Sequence, residues 1–182
     1  MLKRYSLLLL FPLLVASCSS SSSSKTIFYS LDVPVENSAN YGMQVVPFTS
    51  YMPFEKNMAY AVTPNGIILD DYNNWIQPPN VLLTQFFNLM LDDPSKPRTE
   101  LFGSNLKLSG NIFKLECSTI TKEVVLSVNI LVFDTNSKIL LNRNYSQKIK
   151  LERLTASAYA NAVSDAAGKI VLQLTNDLKS LN

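Results

Sequence analysis

Between Val124 and Leu151 the side chains alternate in type with a period of two, and that alternation confines the chain to folds built on a sheet. Leu126, Val128, Ile130 and Val132 take one parity and Val125, Ser127, Asn129 and Leu131 the other, the pattern of a central strand covered heavily on one face. Ile139, Leu141, Tyr145, Ile149 and Leu151 share a parity opposite to Asn142, Asn144, Ser146, Lys148 and Lys150, so this strand has one buried and one wet face. Asp134-Thr135-Asn136-Ser137 is a turn that makes the two strands an antiparallel pair. Leu106 to Thr119 reads as a third long strand, in which Gly110 interrupts the parity between Leu108 and Phe113 and predicts a bulge.

The first half carries shorter strand signals at Ile27–Leu31 and Met43–Phe48, where Pro47 marks an edge or a strand end. Met58–Val62 and Ile67–Leu69 flank Thr63-Pro64-Asn65-Gly66, a hairpin signal in which proline presets one torsion and glycine supplies freedom at the other side. After Pro78-Pro79 the period changes. Leu82, Phe86 and Leu89 form one stripe and Leu83, Phe87 and Met90 an adjacent one, which predicts an amphipathic helix ending before Pro94. A second, longer helix is expected after a cap at Thr155 or Ser157, with Ala156, Ala160, Val163, Ala167, Ile170, Leu174 and Leu181 in a single stripe. Gly168 and the alanines of this helix are expected at a close contact with a sheet or with a second chain. Strands grouped before and after one helix, with another helix at the end, predict an α+β fold in two layers: an antiparallel or mixed sheet of about six strands carrying two helices on one face.

The N-terminus imposes a different kind of constraint. Lys3 and Arg4 precede an apolar run from Leu7 to Val15, and Ala16, Ser17 and Cys18 follow, the order of a secretory signal. Pro12 interrupts the run, which is shorter than the ~20 apolar residues of a spanning helix. Val15-Ala16-Ser17-Cys18 resembles the lipobox of bacterial lipoproteins, which implies cleavage before Cys18 and lipid attachment to its thiol. Ser19 to Ser24 has nothing to bury and reads as a flexible tether. By the same resemblance, Ser19 rather than aspartate after the cysteine points to the periplasmic face of the outer membrane. The chain thus divides into a signal peptide at 1–17, a lipidated cysteine and tether at 18–24, and a single domain at 25–182.

Composition and residue types narrow the chemistry. The formal net charge of +2 falls to zero once Lys3 and Arg4 leave with the signal, so no electrostatic recruitment of nucleic acid is expected. Neutrality and the alanine-rich last helix permit a homo-oligomer. Lipidation of Cys18 would leave Cys117 without a disulfide partner, and its place in a strand reads as a small buried hydrophobe. The sequence contains no histidine, which removes the usual general base, the Ser-His-Asp arrangement and histidine metal sites. Asp70-Asp71 and Asp92-Asp93 are adjacent acids, but on a strand the first pair would point to opposite faces and the second reads as a polar helix exit. Five scattered glycines form no phosphate-cradling loop. A non-enzymatic protein with no cofactor, no metal and no catalytic residue is expected.

Tyr29-x-Leu31 shortly after Cys18, the strand around Val45, the segment Phe54 to Tyr60, the hairpin into Asp71-Tyr72-Asn73-Asn74-Trp75, then Pro78-Pro79 and the apolar helix resemble, in that order, the auxiliary lipoproteins of ABC-type lipid transporters. These accompany an ATPase, a permease and an MCE-type subunit that carries lipid between two membranes. Trp75-Ile76-Gln77 departs from the Trp-Ala-Glu often found there. The resemblance implies a lipid-anchored domain that docks the MCE protein, and through it the ABC permease and ATPase. Trp75 is the candidate contact, since tryptophan is a frequent interface anchor, although large aromatics are also highly buried on average. Tyr29 carries the same two readings. Two other roles remain open: binding a lipid directly in an apolar groove between sheet and helices, and assisting assembly of another outer-membrane machine.

Overall fold

The computed structural model describes residues 25–52, 55–99 and 105–181. Signal peptide, Cys18 and serine run all lie outside the described residues. Eight strands, β1 (Ile27–Tyr29), β2 (Met43–Val45), β3 (Thr49–Ser50), β4 (Asn57–Thr63), β5 (Gly66–Trp75), β6 (Leu106–Ser118), β7 (Glu123–Phe133) and β8 (Ile139–Lys150), form one mixed sheet. Two helices, α1 (Pro79–Leu91) and α2 (Ala156–Lys179), complete the α+β fold. The sheet runs β1-β5-β4-β6-β7-β8, with β2 and β3 also joined to β6.

The long meander β6-β7-β8 follows from the alternation. On β7, Val124, Leu126, Val128, Ile130 and Val132 are all buried, and on β8 Leu141 and Tyr145 join them. The polar face of the same pair is stitched by an Asn129–Asn142–Asn144 ladder and by the facing hydroxyls of Ser127 and Ser146. Asp134 closes the connecting turn by accepting the amides of Asn136 and Lys138.

Against β6, the expected strand Met43–Phe48 ends at Val45, and a second short strand, Thr49–Ser50, follows it. Pro47 has no N–H to donate, so the segment bends there, β2 pairing in parallel with Leu106–Leu108 and β3 with Asn111–Ile112. With β3 added, the described residues hold eight strands where about six were expected. Farther along the same edge, β4 pairs in parallel through Tyr60 and Ala61 with Cys117 and Ser118. The irregularity expected at Gly110 lies instead between Ile112 and Lys114, where Phe113 turns outward. Gly110 serves a different purpose: a Cβ there would overlap the ring of Phe48.

β5 is longer than Ile67–Leu69. It continues to Trp75 through an irregular stretch in which the Asp70 carboxylate accepts the amides of Tyr72 and Asn73 and the Asn73 side chain, forming a local turn inside the strand. β1 then adds to the outer edge of β5 in parallel register, Ile27 opposite Asn73 and Tyr29 opposite Trp75.

α1 begins with Pro79 at its first turn, where the missing N–H costs nothing. Leu82, Leu83, Phe86, Phe87 and Met90 bury its apolar side, while Leu89 falls outside the contact and is exposed. α2 is capped by Thr155, whose hydroxyl accepts the Ala158 amide, an interaction worth ~1 kcal/mol. Ala160, Val163, Ala167, Ile170 and Leu174 are buried as the stripe predicts, but Leu181 lies beyond the helix and is exposed. Both helices pack into a single hydrophobic cluster with the sheet. No helix among the described residues is long and apolar enough to cross a membrane.

Candidate functional site

Between β1 and β2 the chain crosses the helices as a strap. The Asp32 amide donates to Ser164 Oγ on α2, and the Ala39 and Tyr41 amides donate to the last carbonyls of α1, Met90 and Leu91. Asp93 secures the far end, accepting from Ser38 Oγ and from the hydroxyl and amide of Ser95; these bonds hold its carboxyl below the usual range. A groove of about 750 Å³ lies between this strap, the end of α1 and the outer side of α2. Ser164, Gly168, Val171 and Thr175 line it from the helix and Pro34, Ala39 and Tyr41 from the strap. Its size falls in the range of ligand-sized clefts, but its lining is mixed. Asp165 and Lys169 pair at 2.9 Å on the exposed side, and Asp32 and Lys179 add further charge.

Gly168 opens this groove rather than closing a contact. An added Cβ would meet nothing within 4 Å, so the expectation that Gly168 brings the helix close to a sheet is corrected: the close approach is made by Ala160, Ala166 and Ala167, and Gly168 faces the groove.

Under the helices there is no comparable space. The small pocket bounded by Leu31, Trp75, Leu83 and Val163 has no room for a water molecule. The aromatic and branched side chains of α1 and α2 fill this layer between sheet and helices.

The residues singled out from sequence separate accordingly. Cys18 is outside the described residues. Trp75 is 1 % exposed and meets the Tyr159 ring edge-on at 5.6 Å, so the expectation of a partner contact through Trp75 is corrected: the indole is a core element beneath the start of α2. Tyr29 remains half-exposed, its hydroxyl donating to Asn73 Oδ1 at 3.2 Å. Cys117 is fully buried, and burial pushes its thiol up to about 11. Tyr60, also edge-on to Tyr159, is pushed up to about 12, by burial first and then by the Asp70 charge. For Asp70, burial acts to raise the pKa, but the bonds from Asn73 and Tyr72 outweigh it and the net direction is down. Among the described residues no three cysteine, aspartate or glutamate side chains converge as metal ligands.

Two features escaped sequence reading. Leu172 stands 62 % exposed at the groove on the otherwise polar side of α2, and a lone leucine outside the stripe was its only signal. The hairpin residues Ile67, Ile68 and Leu69 are exposed together, a run that reads in sequence as an ordinary buried strand.

No sequence family matches the chain, and no curated protein matches it. Among solved structures, protein XCC0632 of Xanthomonas campestris, of the family DUF330, superposes with a TM-score of 0.66 at 14 % identity, over 83 % of this chain and 92 % of that one. A second structure, of a protein described as uncharacterized, gives 0.64 at 12 % identity, over 87 % of this chain and 99 % of the other. The likeness shows a common fold spanning nearly the whole of both relatives.

Proposed function

We propose that the chain is a lipid-anchored accessory subunit of an ABC/MCE-type lipid transport system. Cys18 holds it to the periplasmic face of the outer membrane, and the domain docks the MCE component there, coupling it through the permease to the ATPase. The observation that carries this reading is the contrast between a filled interior and an open groove of mixed apolar and charged lining outside α2. Such a surface suits a protein segment better than an acyl chain, which requires a dry apolar cavity. The fold common to a DUF330 protein and the lipobox resemblance at Val15–Cys18 support the same reading.

Co-purification of the full chain with the MCE protein of the same genome tests it, with Leu172→Asp as the groove variant. Wild type is expected to capture the MCE protein and the variant to lose it. Native mass spectrometry showing phospholipid at unit occupancy, together with no MCE capture, would replace docking by direct lipid binding. A Cys18→Ser protein that stays membrane-bound and functional would remove the anchor.

A further inference from the structure

Strand direction fixes what lies at each end of the sheet. β4, β6 and β8 run toward one end; β1, β5 and β7 run away from it. The β4–β5 turn at Pro64-Asn65, the β6–β7 turn at Thr119–Lys122 and the β8–α2 connection therefore cluster there. The Thr119 amide donates to the Ala61 carbonyl and the Leu151 amide to the Lys122 carbonyl, which ties the three together. Because β1 is parallel to β5, the chain preceding Ile27 leaves at this same end.

That end is unusually apolar for an exposed surface. Ile67, Ile68 and Leu69 are each more than 40 % exposed. Successive strand residues point to opposite faces, so three in a row can be exposed only if the hairpin stands clear of the helix layer on both sides. Ile120 extends the patch across the β6–β7 turn, while Tyr72 and Phe28 are exposed farther along the same edge, Phe28 opposite Asn74. Lys25, Lys122, Lys150 and Arg153 are exposed around it, with Asp71 and Glu152 as exposed acids. The opposite β7–β8 turn, Asp134-Thr135-Asn136-Ser137, is wholly polar.

We propose that this end of the domain is a lipid-bilayer contact surface, in which the β4–β5 hairpin dips into the interfacial layer and the surrounding lysines meet lipid phosphates. The proposal rests on the lipid-anchor reading of Cys18. Six residues, Ser19 to Ser24, separate Cys18 from Lys25, a reach of at most ~25 Å over the seven Cα steps. Ile67 lies at most ~20 Å along β5 from the level of Ile27, in the direction from which the chain arrives. The anchor thus leaves the apolar end within reach of the membrane. Apolar side chains ringed by lysine and arginine are the composition of an interfacial contact. The hairpin's own pairing, Tyr60 with Ile68 and Ala61 with Ile67, satisfies backbone groups that would otherwise resist leaving water.

The test uses the full chain, processed in a bacterial host and reconstituted into vesicles of phosphatidylethanolamine and phosphatidylglycerol. Single cysteines at Ile68, Ile120 and, as control, Asn136 are labelled with an environment-sensitive fluorophore; Cys117 is buried from the reagent. Blue-shifted emission at Ile68→Cys and Ile120→Cys, quenched by spin-labelled lipid, with Asn136→Cys remaining water-like, is the expected result. Intact mass of the N-terminal peptide separates the two levels. A diacylglyceryl group on Cys18 with water-like emission at Ile68 overturns the contact surface and leaves the anchor standing, whereas an unmodified Cys18 overturns the anchor itself. Emission that is blue-shifted but not quenched by lipid reports a protein covering the hairpin, a second copy included, and also overturns the proposal.

Discussion

Gly110→Ala adds one methyl group where the Phe48 ring already stands. In an unstrained strand the same change would stabilise by ~0.4–1 kcal/mol, through the lost freedom of the unfolded chain. Here the ring has no easy retreat. Phe48 is buried, its ring lies 5.0 Å from that of Phe87, its amide donates to Thr84 Oγ1 and its carbonyl accepts from Asn80 Nδ2. With the backbone pinned on both sides, the overlap must be relieved by displacing α1 or bending β6, a cost of about 1–3 kcal/mol. For a domain of this size that is a fall in Tm of roughly 2–12 °C. Urea unfolding followed by the fluorescence of Trp75, the sole tryptophan, measures it directly. The cycle is completed with Phe48→Leu, which shortens the ring. In that background Gly110→Ala should cost about 0.5 kcal/mol or less, giving a favourable coupling of ~1 kcal/mol. Additive effects, or a stabilised Gly110→Ala single variant, would refute the claim that glycine is required by the Phe48 ring.

Gly168→Ala should have the opposite sign, gaining ~0.5–1 kcal/mol in a thermal melt, because its Cβ enters open groove within a helix. Cys117 has a folded pKa raised from 9.0 to about 11, so the neutral-thiol stability is fully present below pH 9 and is lost as pH rises from there to 11. Cys117→Ala should flatten that part of the stability profile measured by urea titration. Asp177 has a lowered pKa, held down first by the Tyr145 hydroxyl at 2.7 Å and then, against the opposing effect of burial, by Arg143 at 2.6 Å. Its contribution is therefore present above the unfolded aspartate pKa and fades as pH falls through the folded value. Asp177→Asn should lower stability at neutral pH and weaken the acid dependence.

The sequence-derived expectations succeeded where one periodicity ruled a long segment. The buried face of β7, the Asp134 turn, the Thr155 cap and the wide apolar side of α1 all follow from spacing alone. They failed where a single residue answers to a distant neighbour. Gly110 reads as a bulge until Phe48 is seen against it, and the turn inside β5 is built by Asp70, whose side-chain bonds cannot be read from alternation. The candidate sites show the same division. Burial of Cys117 was legible from its place in a strand. Trp75 was not, because both an anchor and a core tryptophan follow the same short aromatic stretch, and Tyr159 lies far off in the chain. The groove has no motif; it arises where the strap crosses α2, a meeting fixed by the Asp32–Ser164 bond.

One edge of β6 is filled by three separate strands, β2, β3 and β4, all of which precede it in the chain. Parallel pairings over such separations require large loops to close before any contact rewards them, so they form late and slowly. The β4–β5 hairpin is the only strand pairing among the described residues that the N-terminal half can complete from adjacent strands; β2 and β3 have nothing to pair with until β6 exists. Folding is then expected to nucleate in the β6-β7-β8 meander, the part synthesised toward the end. The N-terminal strands of this sheet therefore stay unpaired along β6 until the C-terminal half of the chain is present.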